Sequence, residues 1–187
     1  MRRFVCLLNV LLLTNCLLAQ EAGWEFPDPE GKLHAPLKVE GKKGVVLFFV
    51  SPYCPTANTL MPEINSIAKA HAEHFSSYLI HADPGIKVTD VYQHSVMFKV
   101  EVPVLIDSEQ RLARRVGARI TPEAVVLSPA GEVLYQGRIN DLYLGPTKRQ
   151  RKATTQELHD ALAAIQAGKP VTTPRTQAVG CKISGMQ

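Results

Sequence analysis

Val45-Val46-Leu47-Phe48-Phe49-Val50, followed at once by Ser51-Pro52-Tyr53-Cys54-Pro55, is the stretch that decides the fold. Apolar, mostly β-favouring residues in an unbroken run, without alternation, predict a central strand covered on both faces. The strand ends at Ser51-Pro52-Tyr53, and a helix is expected from about Pro55 to His74. Leu60, Ile64, Ile67 and Ala68 or His71 recur along it at helical spacing. Pro62 lies inside that helix and is expected to kink it, because proline removes one backbone hydrogen bond. Cys54 therefore stands where a buried strand hands over to a helix.

Further along, Ser77–His81 reads as a second strand, Thr89–Phe98 as a helix, and Val102–Asp107 as an extended piece entering a polar turn. Glu109–Val116 reads as a short helix closed by Gly117. Ala124–Leu127 and Glu132–Tyr135 are two strands joined by Ser128-Pro129-Ala130-Gly131, a hairpin signature. The last helix is marked by a capping box of Thr154 and Glu157, an apolar stripe of Leu158, Leu162 and Ile165, and a stop at Gly168. Upstream of the central strand the chain is turn-rich, with one short edge strand in Leu33–Val39, and Trp24 is expected to cover a core edge. From Lys169 a Pro/Thr-rich tail of weak structure carries Cys181. Strand, helix, strand, helix, strand pair and closing helix together imply an α/β sandwich with a mixed sheet.

The chain has 187 residues, enough for one domain with a sizeable core, here residues 24–168, plus the tail 169–187. Hydrophobic residues make up 45% and charged residues 20%, a globular balance that argues against disorder. The first 19 residues read as a secretory signal: Arg2-Arg3, a short apolar stretch from Phe4 to Leu18, and Ala19 before the cut. The stretch is short for a membrane anchor, which needs about 20 apolar residues. Lipid modification at Cys16 is disfavoured by Asn15, because such processing favours a small residue there. The formal net charge of +4 includes Arg2 and Arg3; without them 19 basic residues face 17 acidic ones, so nothing calls for nucleic acid. The basic run Lys148–Lys152 reads as a solvated loop.

After processing two cysteines remain, Cys54 and Cys181, in a compartment where disulfides persist. A helix start favours a thiolate, the nucleophilic form of cysteine, so Cys54 is the candidate nucleophile. The alternative is a buried inert cysteine. Thr121-Pro122, directly before a strand, is by itself either an ordinary edge proline or a cis-proline.

Taken together, a strand, Cys54-Pro55 at a helix start and Thr121-Pro122 before a hairpin resemble the thioredoxin superfamily from about Val45 to Ile165. In detail the chain is similar to bacterial exported redoxin-domain proteins of the alkyl hydroperoxide reductase/thiol-specific antioxidant type, a likeness carried by Cys54-Pro55-Thr56-Ala57-Asn58, Thr121-Pro122-Glu123-Ala124-Val125-Val126-Leu127 and Ala178-Val179-Gly180-Cys181. The resemblance implies a thioredoxin-like three-layer α/β sandwich with a central mixed sheet, and a cis Pro122 packed against Cys54. Two departures stand out. Thioredoxins carry a second cysteine three residues after the first, and here that position is Ala57. Peroxiredoxins place a Thr or Ser three residues before their cysteine, which Ser51 matches, but Pro122 takes the place of their arginine, with Arg119 three residues earlier.

The resemblance implies a thiol-dependent oxidoreductase in which Cys54 attacks a disulfide or a peroxide. Ser51, Pro55, Thr121 and Pro122 would shape the groove, and Cys181 is the candidate resolving cysteine. The pairing of Cys54 with Cys181 stays open between a reversible disulfide, a permanent bridge and an unpaired tail thiol. The partners implied are a protein or peroxide substrate and an external thiol reductant, in the periplasm or beyond, with no cofactor. The six histidines, among them His71 and His74 at chelating spacing, read as surface residues, and no metal is expected. The rival reading is a non-catalytic module that binds copper or a partner protein. Copper chaperones of this fold use a second cysteine four residues after the first, where this chain has Asn58.

Overall fold

The apolar run forms the strand β3 (Gly44–Val50), all seven residues of which are buried. It is flanked by two short strands upstream, β1 (Phe26–Pro27) and β2 (Leu33–His34), which pair with each other. The computed structural model describes residues 24–186; the expected signal segment 1–19, with Cys16, lies outside the described residues.

β3 lies between β4 (Phe75–His81), parallel to it, and β7 (Glu123–Leu127), antiparallel to it. β5 (Val104–Ile106) adds in parallel to β4, and β8 (Val133–Gly137) adds antiparallel to β7. The central sheet therefore runs β5-β4-β3-β7-β8 and is mixed. Strand period two splits β3 between two cores. Val46, Phe48 and Val50 face one cluster, and Val45, Leu47 and Phe49 face the other. The first cluster holds the apolar sides of α1 (Pro55–Ala70) and α4 (Glu157–Gln166), with Val91 of α2 (Val88–Met97). The second holds Leu112, Ala113 and Val116 of α3 (Arg111–Val116) with Phe26. Helices on both faces of a mixed sheet make the three-layer thioredoxin-like α/β sandwich. Close packing of the sheet also explains Gly44: a Cβ there would stand 2.3 Å from the Leu127 carbonyl oxygen.

α1 ends at Ala70 rather than His74, because Phe75 must already pair beside Gly44. α1 continues through Pro62, which is exposed. The capping box before α4 does not form. Thr154 and Thr155 instead donate their backbone N–H groups to Asp141 Oδ1 (2.6 and 3.0 Å), while Glu157 pairs with Arg138. The edge strand in 33–39 shrinks to Leu33–His34. The basic run opens as a strand, β10 (Lys148–Arg149), paired with β9 (Tyr143–Gly145). Trp24 packs on the second core, with the Arg115 guanidinium 4.8 Å from its ring centroid.

The tail is not weakly structured. It lays Arg175 beside Gln136 of β8, then forms β11 (Cys181–Lys182) against β6 (Ile120–Thr121). Ile183, 1% exposed, plugs the second core, and Gln110 Nε2 donates to both the Ala82 and the Ser184 carbonyl oxygens.

Candidate active site

The end of β3 and the start of α1 place Cys54 as the N-cap residue of α1, with extended backbone (φ −99°, ψ 107°). The turn is closed by Cys54 N–H donating to Ser51 O (3.1 Å) and Asn58 N–H donating to Cys54 O (3.0 Å). Among the described residues no side chain caps the helix, and no acidic residue lies in its first turn, so its positive end is left to the cysteine. Asn58 Nδ2 braces the turn from behind by donating to Pro52 O (3.0 Å). Its Oδ1 then accepts from His94 Nε2 (3.0 Å), and the His94 ring meets His81 edge-on at 5.3 Å. Tyr53 stays exposed at the rim, its hydroxyl bonded to Asp90.

Cys54 is fully buried, and its Sγ–H donates to Thr121 O at 2.9 Å. The Thr121–Pro122 peptide is cis, as the resemblance implies. Glu123 fixes β6 in place. Its Oε2 accepts from the backbone N–H groups of Arg119 (2.8 Å) and Ile120 (3.2 Å), and its Oε1 from Gln136 Nε2 (3.0 Å). On the outer edge of β6, Cys181 pairs opposite Thr121 and Lys182 opposite Ile120. Thr121 Oγ1 donates to Cys181 O (3.4 Å).

This register brings the two cysteines together. Both are free thiols, and Cys181 packs against the cluster that contains Cys54. Burial is the main cause that pushes the Cys181 thiol up to about 11, joined by its hydrogen bond and charge interaction with Cys54 and by Asp83. At neutral pH Cys181 is therefore a thiol.

Ser51, Pro55, Thr121 and Pro122 all lie in the segments around Cys54. Ser51 and Thr121 are buried, and Ser51 Oγ accepts from Tyr53 N–H (3.4 Å). Arg119 is exposed and lines a separate cleft of about 330 Å³ with Glu123, Gln177 and Lys182. Three of the six histidines are not surface residues: His71, edge-on to Phe75 and His159, is buried, and so are His81 and His94. Sequence reasoning missed the roles of Glu123, Gln136 and His94. Glu123 stands inside the quoted Thr121–Leu127 segment, but nothing in a sequence marks a carboxylate that serves backbone amides.

Comparisons with known proteins bear on this geometry. No curated protein sequence matches the chain. Among solved structures, a hypothetical protein from Sinorhizobium meliloti superposes with a TM-score of 0.74 at 23% identity, covering 85% of this chain and 88% of that one. An uncharacterized conserved protein from Geobacillus kaustophilus gives 0.72 at 19%, covering 86% and 87%. A secreted Mycobacterium tuberculosis disulfide oxidoreductase, homologous to DsbE of E. coli, gives 0.58 at 18%, covering 78% and 98%. At these identities the likeness establishes the fold. Residues 22–136, which hold β3, the Cys54 turn, the cis-proline and β7, match the AhpC/TSA family, and the chain belongs to that family.

Proposed function

We propose that the chain is an exported thiol-disulfide oxidoreductase in which Cys54 is the attacking cysteine and Cys181 resolves it. The observation that carries this reading is the pairing of Cys181 with Thr121, which sets its sulfur beside that of Cys54. In the first step the Cys54 thiolate attacks one sulfur of a substrate disulfide, forming a mixed disulfide and releasing the other half as a thiolate, which takes up a proton. In the second step Cys181 loses its proton and attacks the Cys54 sulfur, releasing the second half as a thiol. Two protein thiols become one disulfide, and the substrate disulfide becomes two thiols. An external thiol reductant restores the starting state.

The half-buried Cys181 thiol, pushed up to about 11, suits the second role rather than the first, since it is protonated at neutral pH and does not initiate attack. Ser51, Pro55, Thr121 and Pro122 shape the groove around the reacting sulfur. Disulfide exchange is favoured over peroxide reduction because Arg119, the arginine near in sequence, is exposed along a different cleft. The fold shared with the secreted mycobacterial disulfide oxidoreductase supports the same assignment, as does the leader expected at 1–19 for the export. Domain 24–168 would carry the attacking centre and the segment 169–187 the resolving one.

The test is to treat the reduced chain with oxidised glutathione and map its disulfides by mass. The expected result is a Cys54–Cys181 bond in the native chain, a stable glutathione adduct on Cys54 in Cys181→Ser, and neither in Cys54→Ser. A native chain that leaves oxidised glutathione untouched but consumes hydrogen peroxide would refute the choice of substrate.

A further inference from the structure

The C-terminal segment is fastened at both ends of the stretch that carries Cys181. On the near side, Gln136 N–H donates to Pro174 O (2.9 Å), Thr176 N–H donates to Gln136 O (3.1 Å), and Thr176 Oγ1 accepts from Arg138 N–H (3.0 Å). On the far side, Ile183 N–H donates to Arg119 O (2.9 Å) and the Ile183 side chain is buried. Between the fastenings comes Gly180. A Cβ at Gly180 would stand 2.0 Å from Thr121 O, 2.8 Å from Thr121 C and 3.0 Å from Pro122 Cδ. These are backbone and ring atoms that cannot swing aside. Thr121 O is also the oxygen that accepts from Cys54 Sγ–H. A side chain at position 180 must therefore either lift the strand off β6 or displace the oxygen that holds Cys54.

We infer that Gly180 is a specificity-determining residue: the strand place beside Cys54 accepts a cysteine opposite Thr121 only when glycine immediately precedes it. The inference deepens the disulfide-exchange reading and rests on it for the purpose of the seated cysteine. The chain's own Gly180-Cys181 is the resident occupant, favoured over any free strand because it is tethered. Polypeptide partners that fit the same place are extended strands containing a Gly-Cys pair, added to the edge of β6 by main-chain hydrogen bonds. A strand with a side chain ahead of its cysteine is refused in this register. Small disulfides that make no strand pairing are unaffected.

The test uses the full chain and its Gly180→Ala and Gly180→Val variants. With oxidised glutathione as oxidant, closure of the Cys54–Cys181 bond is expected to slow by at least about fivefold in Gly180→Ala, the low end of what an overpacked contact costs. Alkylation of Cys54 by iodoacetamide, read separately from Cys181 by mass mapping, is expected to rise by a similar factor as the strand lifts. Gly180→Val carrying Cys181→Ser, in which no tail thiol can resolve an adduct, is then offered two synthetic peptides, Gln-Ala-Val-Gly-Cys-Lys-Ile and the same peptide with Ala before Cys, each as its glutathione mixed disulfide, so that the Cys54 thiolate attacks the peptide sulfur and glutathione leaves as a thiol. Capture on Cys54 is expected to favour the glycine peptide by at least about fivefold. Equal capture of the two peptides, or closure in Gly180→Ala at the native rate, would overturn the inference. Should the native chain fail to react with oxidised glutathione at all, the disulfide reading fails by itself. Cys54 alkylation still decides the seating, and an unchanged rate would overturn it. If Gly180→Val does not give a cooperative melt, Ile183→Ala loosens the same strand from its buried end and is expected to raise Cys54 alkylation alike.

Discussion

Acid should loosen this protein through two histidines that lie behind the Cys54 turn. His81 is 0% and His94 is 4% exposed. Among the described residues neither His81 ring nitrogen has a hydrogen-bond partner, and His94 Nδ1 has none either. The tautomer of His94 follows from its neighbour: Asn58 Nδ2 donates to Pro52 O, so Asn58 Oδ1 faces the ring and His94 Nε2 carries the proton. Burial lowers His94 to about 4. Burial, followed by the charge of His94, lowers His81 to about 3. An unfolded histidine takes its proton near pH 6.5, so between these values the unfolded chain binds more protons than the folded one. The stability these rings contribute is therefore complete above about pH 6.5 and is lost as pH falls toward 4 and 3. At pH 5 each ring accounts for a loss of about 2 kcal/mol against pH 7.5, or about 4 kcal/mol together. That is a large share of a typical stability of roughly 5–15 kcal/mol. His71, also lowered by burial, adds to the loss with the same sign. Urea unfolding at pH 7.5, 6 and 5 measures the loss, and ring-proton NMR of the folded chain shows whether both rings stay neutral at pH 5. In His94→Gln, whose amide can still donate to Asn58, the loss is expected to shrink by about 2 kcal/mol. A native loss below about 1 kcal/mol, or either ring titrating above pH 5 in the folded state, would refute the argument.

Two further predictions follow from the site. Closure of the Cys54–Cys181 disulfide requires the Cys181 thiolate, so its rate should climb about tenfold per pH unit from neutrality. It should level off below 11, because two causes of the raised value vanish once the Cys54 sulfur sits in a mixed disulfide. Acid-quenched mass mapping from pH 7 to 9 reads this, and a flat profile would argue against Cys181 as the attacker. Glu123→Ala strips the acceptor from the Arg119 and Ile120 amides and should cost about 2–4 kcal/mol, with faster hydrogen exchange at those two amides. Glu123→Gln, which keeps an acceptor oxygen without the charge, should recover about half, and a loss below about 1 kcal/mol in Glu123→Ala would contradict the bracing role.

Most of the sheet was legible because its signals are local. An unbroken apolar run marked β3, and Ser128-Pro129-Ala130-Gly131 between two β-rich segments marked the β7–β8 hairpin. Cys54 was legible as a strand-to-helix junction. The errors arose where a distant group outcompeted a local one. Thr154 and Glu157 have capping-box spacing, yet Asp141 claims the first and Arg138 the second. The helix after Cys54 ends at Ala70, four residues before the expected His74, because its end is set by the register of β4 on β3 rather than by its own composition. The tail read as weak structure because a two-residue strand has no periodicity to detect, and what orders it is the β6 edge and the core under α3.

With Ala57 in place of a second cysteine, the turn at Cys54 has no partner within reach of its own helix. In the proposed reading Cys181 of the C-terminal segment is that partner, and the residues that seat it opposite Thr121 are not cysteines. Glu123 accepts from the amides of Arg119 and Ile120 at the start of β6, the strand that pairs with the one carrying Cys181. Gln110 and Ile183 fasten the strand beyond Cys181, and Thr176 fastens it before. Gly180 lets the backbone approach Thr121 O without a Cβ in the way. A thioredoxin keeps its second thiol one helical turn from the first, where local geometry alone maintains their spacing. Here the spacing depends on tertiary contacts, so mutations at the tail fastenings should alter redox behaviour without touching either sulfur.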